Sequence, residues 1–210
     1  MPDILIADDQ TVLRTGLKNY IKTILPQVDI KEVADGDSVI AAITDFDYDL
    51  VVLDIQMNNV SSVGLITEML AIKPQLKILM YSVSPEEIYA KRFLQLGALG
   101  YLSKGSSLDE MSKAINNVLN NKRYLSPSVT NALAATALGK YPDMPNPFKK
   151  LSSRELEITK HLIRGESVSQ ISGKLGIHTS TVGTYKARIL DKLGCQNVMQ
   201  IFELAEIYST

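Results

Sequence analysis

Apolar residues along this chain fall into two regimes. Up to about residue 123, short runs of branched apolar residues alternate with stretches where apolar positions recur every three or four residues. The runs are DILIA (Asp3 to Ala7), Val28 to Ala34, LVVLD (Leu50 to Asp54), LKILMY (Leu76 to Tyr81) and Ala98 to Leu102. Between them lie the helical patterns of Val12 to Ile24, Ser38 to Phe46, Leu65 to Ile72, the stretch from Ser84-Pro85-Glu86-Glu87 to Gly97, and Leu108 to Leu119. Ser84 there reads as a helix cap and Pro85 as a first-turn proline. Leu50 to Leu53 is apolar on both alternating faces, as in a strand covered on both sides. Strand and helix alternating in this way predict right-handed crossovers and a flavodoxin-like, doubly wound, five-stranded parallel sheet of order 2-1-3-4-5.

Beyond Leu151 only the helical period persists. Helices are expected from Ser152-Ser153-Arg154-Glu155 to Gly165, over Val168 to Leu175, from Ser180 to Leu193 ahead of Gly194, and over Val198 to Tyr208. The chain thus divides into an α/β domain (1–123), a linker with a short helix from Pro127 to Leu138 (124–147), and an all-α, four-helix helix-turn-helix domain (148–210). Three prolines within YPDMPNPFKK prevent regular structure in the linker.

Composition adds compartment and charge. The net charge of −1 hides an asymmetry: residues 1–123 carry 12 Lys+Arg against 16 Asp+Glu, a balance of −4, and residues 124–210 carry 10 against 7, a balance of +3. A basic C-terminal half permits nucleic-acid binding. The single Cys195 cannot form an internal disulfide, and His161 and His178 lack companions for a metal cluster, so all three read as structural or solvated. No secretory signal and no apolar stretch near the ~20 residues that cross a bilayer is visible, so a cytoplasmic protein without membrane contact is expected.

The candidate chemistry lies where strands end. Asp8 and Asp9 follow the first strand, Asp54 closes the third, and these strands are neighbours in the proposed order. Ligands of open α/β sheets bind at the carboxyl ends of strands. Three carboxylates there call for a raised pKa or a hard cation such as Mg²⁺. Ser82 and Lys104 end the fourth and fifth strands, so a hydroxyl and an ammonium converge on Asp54, which suits a phosphoryl group on a carboxylate nucleophile. A turn residue at Ser82 and solvated loop acids are the plain structural alternatives.

These residues resemble the receiver domains of two-component response regulators: Asp8-Asp9, Asp54 in VVLDIQM, Ser82 in ILMYS and Lys104 in GYLSK. The C-terminal half resembles the LuxR-type helix-turn-helix through LSSRELEI, SQISGKLGIHTSTVGTY and RILDKLG, so the whole chain is similar to NarL/FixJ-type response regulators. The resemblance implies that Asp54 is the phosphoacceptor, that Asp9, Asp54 and the Gln56 carbonyl bind Mg²⁺ with Asp8 in support, that Ser82 and Tyr101 form a switch pair, and that Lys104 contacts the phosphoryl group. It implies a partner histidine kinase, double-stranded DNA, a homodimer on phosphorylation, and no turnover enzyme. Two departures stand out: Asn58 replaces a usual proline, and Gly64 lies ten residues past Asp54 where members place a glycine eight past. Gly105 follows Lys104 where many receivers carry proline.

In such a domain the second helix of the motif enters the major groove. Val182, Tyr185, Ile189 and Leu193 share one side and are expected inward, leaving Ser180, Gly183, Thr184, Ala187 and Arg188 outward. Thr179, Thr181, Lys186, Arg188 and Lys192 are candidate phosphate contacts. An apolar stripe of Ile201, Leu204 and Ala205 suits either dimerisation through the last helix or core packing within the domain. A protein-binding module without DNA contact and a phosphohydrolase with an aspartyl nucleophile are the competing readings; the latter commonly carries Asp-x-Asp after its first strand, unlike the adjacent Asp8-Asp9 here.

Overall fold

The computed structural model describes residues 1–57, 61–131, 146–195 and 197–208. They form two compact units, Met1–Tyr141 and Pro142–Thr210. In the first, β1 (Asp3–Ala7), β2 (Asp29–Val33), β3 (Leu50–Leu53), β4 (Ile78–Ser82) and β5 (Gly100–Ser103) form one parallel sheet of order β2-β1-β3-β4-β5. Helices α1 (Thr11–Ile24), α2 (Gly36–Asp45), α3 (Ser62–Ile72), α4 (Glu86–Leu96) and α5 (Leu108–Leu119) connect the strands and follow the last.

Strand alternation divides the core. Ile4, Ile6, Leu50, Val52, Leu79 and Leu102 pack with Leu17 and Ile21 of α1 and with Met111, Ala114, Ile115 and Val118 of α5. Residues of the other parity, among them Leu5, Val51, Leu53 and Met80, are fully buried on the opposite face, where right-handed crossovers set α2, α3 and α4. Phe93 of α4 lies 6.3 Å from the Tyr101 ring of β5 there. Every residue of β3 is buried, so the strand that leads to Asp54 has no freedom to slide.

Helix boundaries follow their caps. Asp35 accepts from the Ser38 N–H and starts α2, and Ser107 and Glu110 form a reciprocal capping box at α5. Ser61 caps α3 by accepting from the Gly64 N–H, which puts Gly64 inside the first helical turn. Asn58, Asn59 and Val60 of the departing loop lie outside the described residues. The expected Ser84 cap of α4 is corrected: the N-cap position is Pro85, which has no side chain to bond the helix amides, because Ser84 is engaged elsewhere. Tyr124, read as the start of the linker, instead belongs to the first unit. It is buried and bridges in parallel to Gly100, and residues 127–131 are helical. The remainder of the helix expected to reach Leu138 lies outside the described residues.

The second unit opens with a 3-10 turn at Pro147–Lys150, followed by α6 (Ser153–Ile163), α7 (Val168–Leu175), α8 (Thr179–Leu193) and α9 (Val198–Tyr208). Capping boxes of Ser152 with Glu155 and Ser167 with Gln170 start α6 and α7, and left-handed glycines Gly176 and Gly194 stop α7 and α8. Glu155 also accepts from Lys192 at 2.7 Å, joining the start of α6 to the end of α8. Ile201 and Leu204 are fully buried, and α9 packs on α6 and α8. The stripe proposed for dimerisation is therefore core, because a four-helix unit this small needs the inner face of its last helix to close itself.

Gly97 ends α4 at φ +115°, and an added Cβ would sit 2.7 Å from Leu70 Cδ1. Gly97→Ala should lower the stability of the first unit by about 1–3 kcal/mol through backbone strain, read as a reduced urea midpoint at unchanged slope. In the second unit, the Lys192 hydrogen bond, with those from Ser152, lowers the Glu155 carboxyl from 4.5 to about 2. A depressed folded-state pKa stabilises above pH 4.5 and loses that contribution as pH falls toward 2. The unfolding midpoint of the wild-type protein minus that of Glu155→Gln should accordingly shrink across this window and stay constant above it.

Candidate functional site

Parallel register brings the chemistry together. Ala7 pairs with Leu53, so Asp8 and Asp54 stand one residue beyond neighbouring strand ends at one level, and Ser82 pairs with Ser103, directly ahead of Lys104. The backbone closes the same edge: the Asp54 N–H donates to the Ala7 carbonyl at 2.9 Å, and the Lys104 N–H to the Ser82 carbonyl at 2.8 Å.

At the centre the Lys104 ammonium lies 2.7 Å from Asp8 Oδ2 and 2.8 Å from Asp54 Oδ2, all three side chains being nearly inaccessible to solvent. Carboxylate oxygens of Asp8, Asp9 and Asp54 lie within 4.8 Å of one another. Burial pushes the Asp54 carboxyl up, with Asp8 adding repulsion, against the lowering by Lys104 and the Gln56 N–H. Burial alone would lower the Lys104 pKa, but its bonds to Asp54 and Asp8 outweigh that and hold it above its ordinary value. Three carboxylates and one ammonium leave a formal charge of −2. That charge and an all-oxygen donor set fit a hard divalent cation.

Around this centre each oxygen is oriented. The Gln10 N–H donates to Asp8 Oδ1 at 2.7 Å and the Gln56 N–H to Asp54 Oδ1 at 3.0 Å, so both aspartates sit in local turns that aim their second oxygen at Lys104. Arg14 donates to the Asp8 carbonyl at 2.5 Å. Lys104 also lies 5.8 Å from the Tyr81 ring centroid, so apolar and aromatic surface borders the ammonium. Of the candidate ligands, Asp8, Asp9 and Asp54 are brought together. Gln56 joins them through its N–H on Asp54, while its side-chain amide donates to Ser84 Oγ at 3.1 Å.

Ser82 is fully buried, and its hydroxyl oxygen accepts from the Ser84 N–H at 3.2 Å. Tyr101, implied as the partner of Ser82 in a switch pair, is already inside: it is 1% exposed and donates to the Ser84 carbonyl at 2.9 Å. Burial pushes its phenol well up, keeping it a donor. Ser84 thus ties Gln56, Ser82 and Tyr101 together. Sequence reasoning missed that role; the one available signal was the Ser-x-Ser spacing in YSVSPEE, which reads more readily as a helix start.

In the second unit α8 presents Thr179, Ser180, Thr181, Gly183, Thr184, Ala187 and Arg188 to solvent, with Lys186 partly covered. Two expectations change there. Tyr185 is only partly buried and lines a shallow groove with Ser180, Thr181, Thr184 and Arg188, because it sits at the edge of the inward face set by Val182, Ile189 and Leu193. Lys192 is exposed but already paired with the buried Glu155 carboxylate at 2.7 Å.

A doubly wound sheet carrying this carboxylate and lysine edge, followed in sequence by a helical unit with a stopped turn ahead of α8, defines a receiver joined to a helix-turn-helix. Residues 4–116 match the response regulator receiver domain, and residues 149–205 match the luxR family of bacterial regulatory proteins. The chain belongs to the response regulators of NarL/FixJ type. It is 31% identical over 206 residues to the response regulator GacA of Pseudomonas syringae pv. syringae, spanning 98% of this chain and 95% of that one. It is 27% identical over 205 residues to UvrY of Escherichia coli K12, spanning 98% and 94%. Its fold is shared by RcsB of Salmonella enterica serovar Typhimurium bound to promoter P1flhDC with the phosphomimetic BeF3⁻, at a TM-score of 0.63, 21% identity and 98% of both chains.

Lys104 is the largest influence holding the Asp54 carboxyl down, so Lys104→Ala should move the Asp54 pKa further upward, measured by carboxyl carbon NMR titration. An unchanged titration would contradict the ammonium's bridging position.

Proposed function

We propose that Asp54 accepts a phosphoryl group from a partner histidine kinase, and that the modification controls DNA binding and transcription by the second unit. The bridging of Asp8 and Asp54 by Lys104 carries this reading. It marks a point where an ammonium and a charge deficit suited to a divalent cation meet beside one buried carboxylate. An Asp54 oxygen would form the new P–O bond as the donor's P–N bond breaks. Lys104 and the Ser82 hydroxyl would contact the equatorial oxygens. Asp8, Asp9, Asp54 and the Gln56 carbonyl would hold Mg²⁺, whose contribution is to neutralise charge that develops on the phosphoryl oxygens. The chain does no turnover chemistry in this account, which separates it from an aspartyl phosphohydrolase.

For the second unit, α8 would enter the major groove with Ser180, Thr184, Ala187 and Arg188 facing base edges and Thr179, Thr181 and Lys186 near phosphates. Gly183 offers no side chain, and an added Cβ there would meet open space, so DNA can approach the helix backbone closely at that point. With Lys192 paired internally, sequence discrimination rests on hydroxyls, Arg188 and DNA shape more than on a row of cations. A homodimer on phosphorylation would supply two such helices for a paired site. Its interface cannot use the buried Ile201–Leu204 stripe. Solved RcsB structures include dimers on DNA, which supports this part of the reading. Among the described residues no helix is long and apolar enough to cross a membrane, and both partners point to the cytoplasm.

Asp54→Asn should abolish Mg²⁺-dependent phosphoryl uptake from acetyl phosphate, followed by intact mass, and a chelator should do the same to the wild-type protein. Undiminished labelling of the variant would move the acceptor elsewhere. The wild-type protein should also shift duplex DNA in gels, with affinity falling steeply as salt rises. Absence of such binding with and without phosphoryl donor would favour a protein-binding module.

A further inference from the structure

Glu86, the first residue of α4, has no part in the site described above. Only 8% of it is exposed, although it carries a charge. One carboxylate oxygen accepts from the Ser103 N–H at 2.8 Å. The other accepts from the Ser126 hydroxyl and, at 3.5 Å, from that of Ser128. These three partners are neutral, so among the described residues the carboxylate is held by hydrogen bonds rather than by an ion pair.

The partners come from separate places. Ser103 directly precedes Lys104, whose ammonium bridges Asp8 and Asp54. Glu86 itself ends the Ser82–Glu86 connection that carries Ser82 and Ser84. Ser126 begins the chain that leaves the receiver fold, and its hydroxyl also accepts from the Val129 N–H at 3.3 Å, starting the helical residues 127–131. One side chain therefore joins both loops that touch the candidate phosphoryl group to the segment leading in sequence toward the second unit. A polar cleft of about 520 Å³, lined by Val83, Ser84, Ser103, Gly105 and Ser126 among others, opens beside this junction and leaves the loops room to shift.

We propose that Glu86 is a releasable fastener through which the state of the Asp54 pocket reaches residues 124–131: closed in the form described here, loosened when a phosphoryl group on Asp54 re-seats Lys104 from the two aspartates onto its own oxygens and draws Ser82 toward them. The inference rests on the phosphorylation reading above. The Lys104 N–H is bonded to the Ser82 carbonyl, so the two strand ends move as a pair. Their movement displaces Ser103 and residues 83–85, which between them position the Glu86 carboxylate and one of its donors. Loss of that alignment frees Ser126. Tyr124 and Val129 stay buried by apolar packing, so the segment loosens without leaving the receiver fold altogether.

Amide hydrogen exchange of the full-length protein tests this, with acetyl phosphate and Mg²⁺ as the probe and intact mass recording phosphoryl uptake in the same samples. Peptides covering 124–131 should exchange at least about fivefold faster in phosphorylated than in unmodified protein. In Glu86→Ala the faster exchange should be present without the probe, and phosphorylation should add little to it. Ser126→Ala, which removes the donor from the other side, should behave alike and serves if Glu86→Ala does not fold. Glu86→Gln keeps an acceptor and should fall between. Phosphorylated wild-type protein with unchanged exchange over 124–131, or variants as protected there as the wild type, would overturn the fastener while leaving Asp54 as acceptor. Failure of uptake is seen in the mass instead, and would remove the phosphorylation reading and this inference with it.

Discussion

Two carboxylates at the ends of adjacent strands, both out of reach of solvent, need either a proton on one of them or a cation between them. Lys104 is that cation, and much of the receiver edge is arranged so that it can be. The parallel pairing of Ala7 with Leu53 sets Asp8 and Asp54 level, and full burial of β3 prevents any slip that would part them. The bond from the Lys104 N–H to the Ser82 carbonyl fixes where the lysine leaves β5. Local turns at Asp8 and Asp54 occupy one oxygen of each with a backbone N–H and leave the other for the ammonium. The remaining negative charge makes the pocket receptive to a divalent cation and an incoming phosphoryl group, both of which would compete for Lys104 and so pull on the strands that hold it.

From the pocket, polar contacts lead outward along a short route. Ser84 accepts from Gln56 through its hydroxyl and from Tyr101 through its carbonyl, and donates to Ser82 through its N–H. Two residues further on, Glu86 reaches β5 and the departing chain. The second unit uses a comparable device for a different end: the Glu155 carboxylate caps α6 and holds Lys192 near the end of α8. A buried acid thus aligns the helix proposed to meet DNA, while neutralising part of the charge of an exposed lysine on it.

Much of this could be read from the chain alone. The alternation of apolar runs with helical periods determined a parallel doubly wound sheet, because each segment must bury its own face and crossovers have one hand; its order 2-1-3-4-5 is one of the two such sheets commonly adopt. Asp8, Asp9, Asp54, Ser82 and Lys104 could be grouped because each stands at a strand end, a position defined by local pattern plus topology. The serine start of α6 and the glycine that stops α8 marked those helices for the same reason: caps act within one turn.

What tertiary structure decided are the questions of which neighbour a side chain meets. Ser84 reads as a cap and serves as a hub instead. Tyr101, one of an implied switch pair, lies inside; Ile201 and Leu204, readable as interface or as core, close the core of their own unit; Lys192 reads as a phosphate contact and is paired with Glu155. Glu86 read only as part of a helix start, since its three partners come from residues 17 to 42 positions away. Hydrophobic period and turn chemistry act over a few residues and so are written locally, whereas the partner of a polar side chain depends on distances that exist only after the sheet has been assembled.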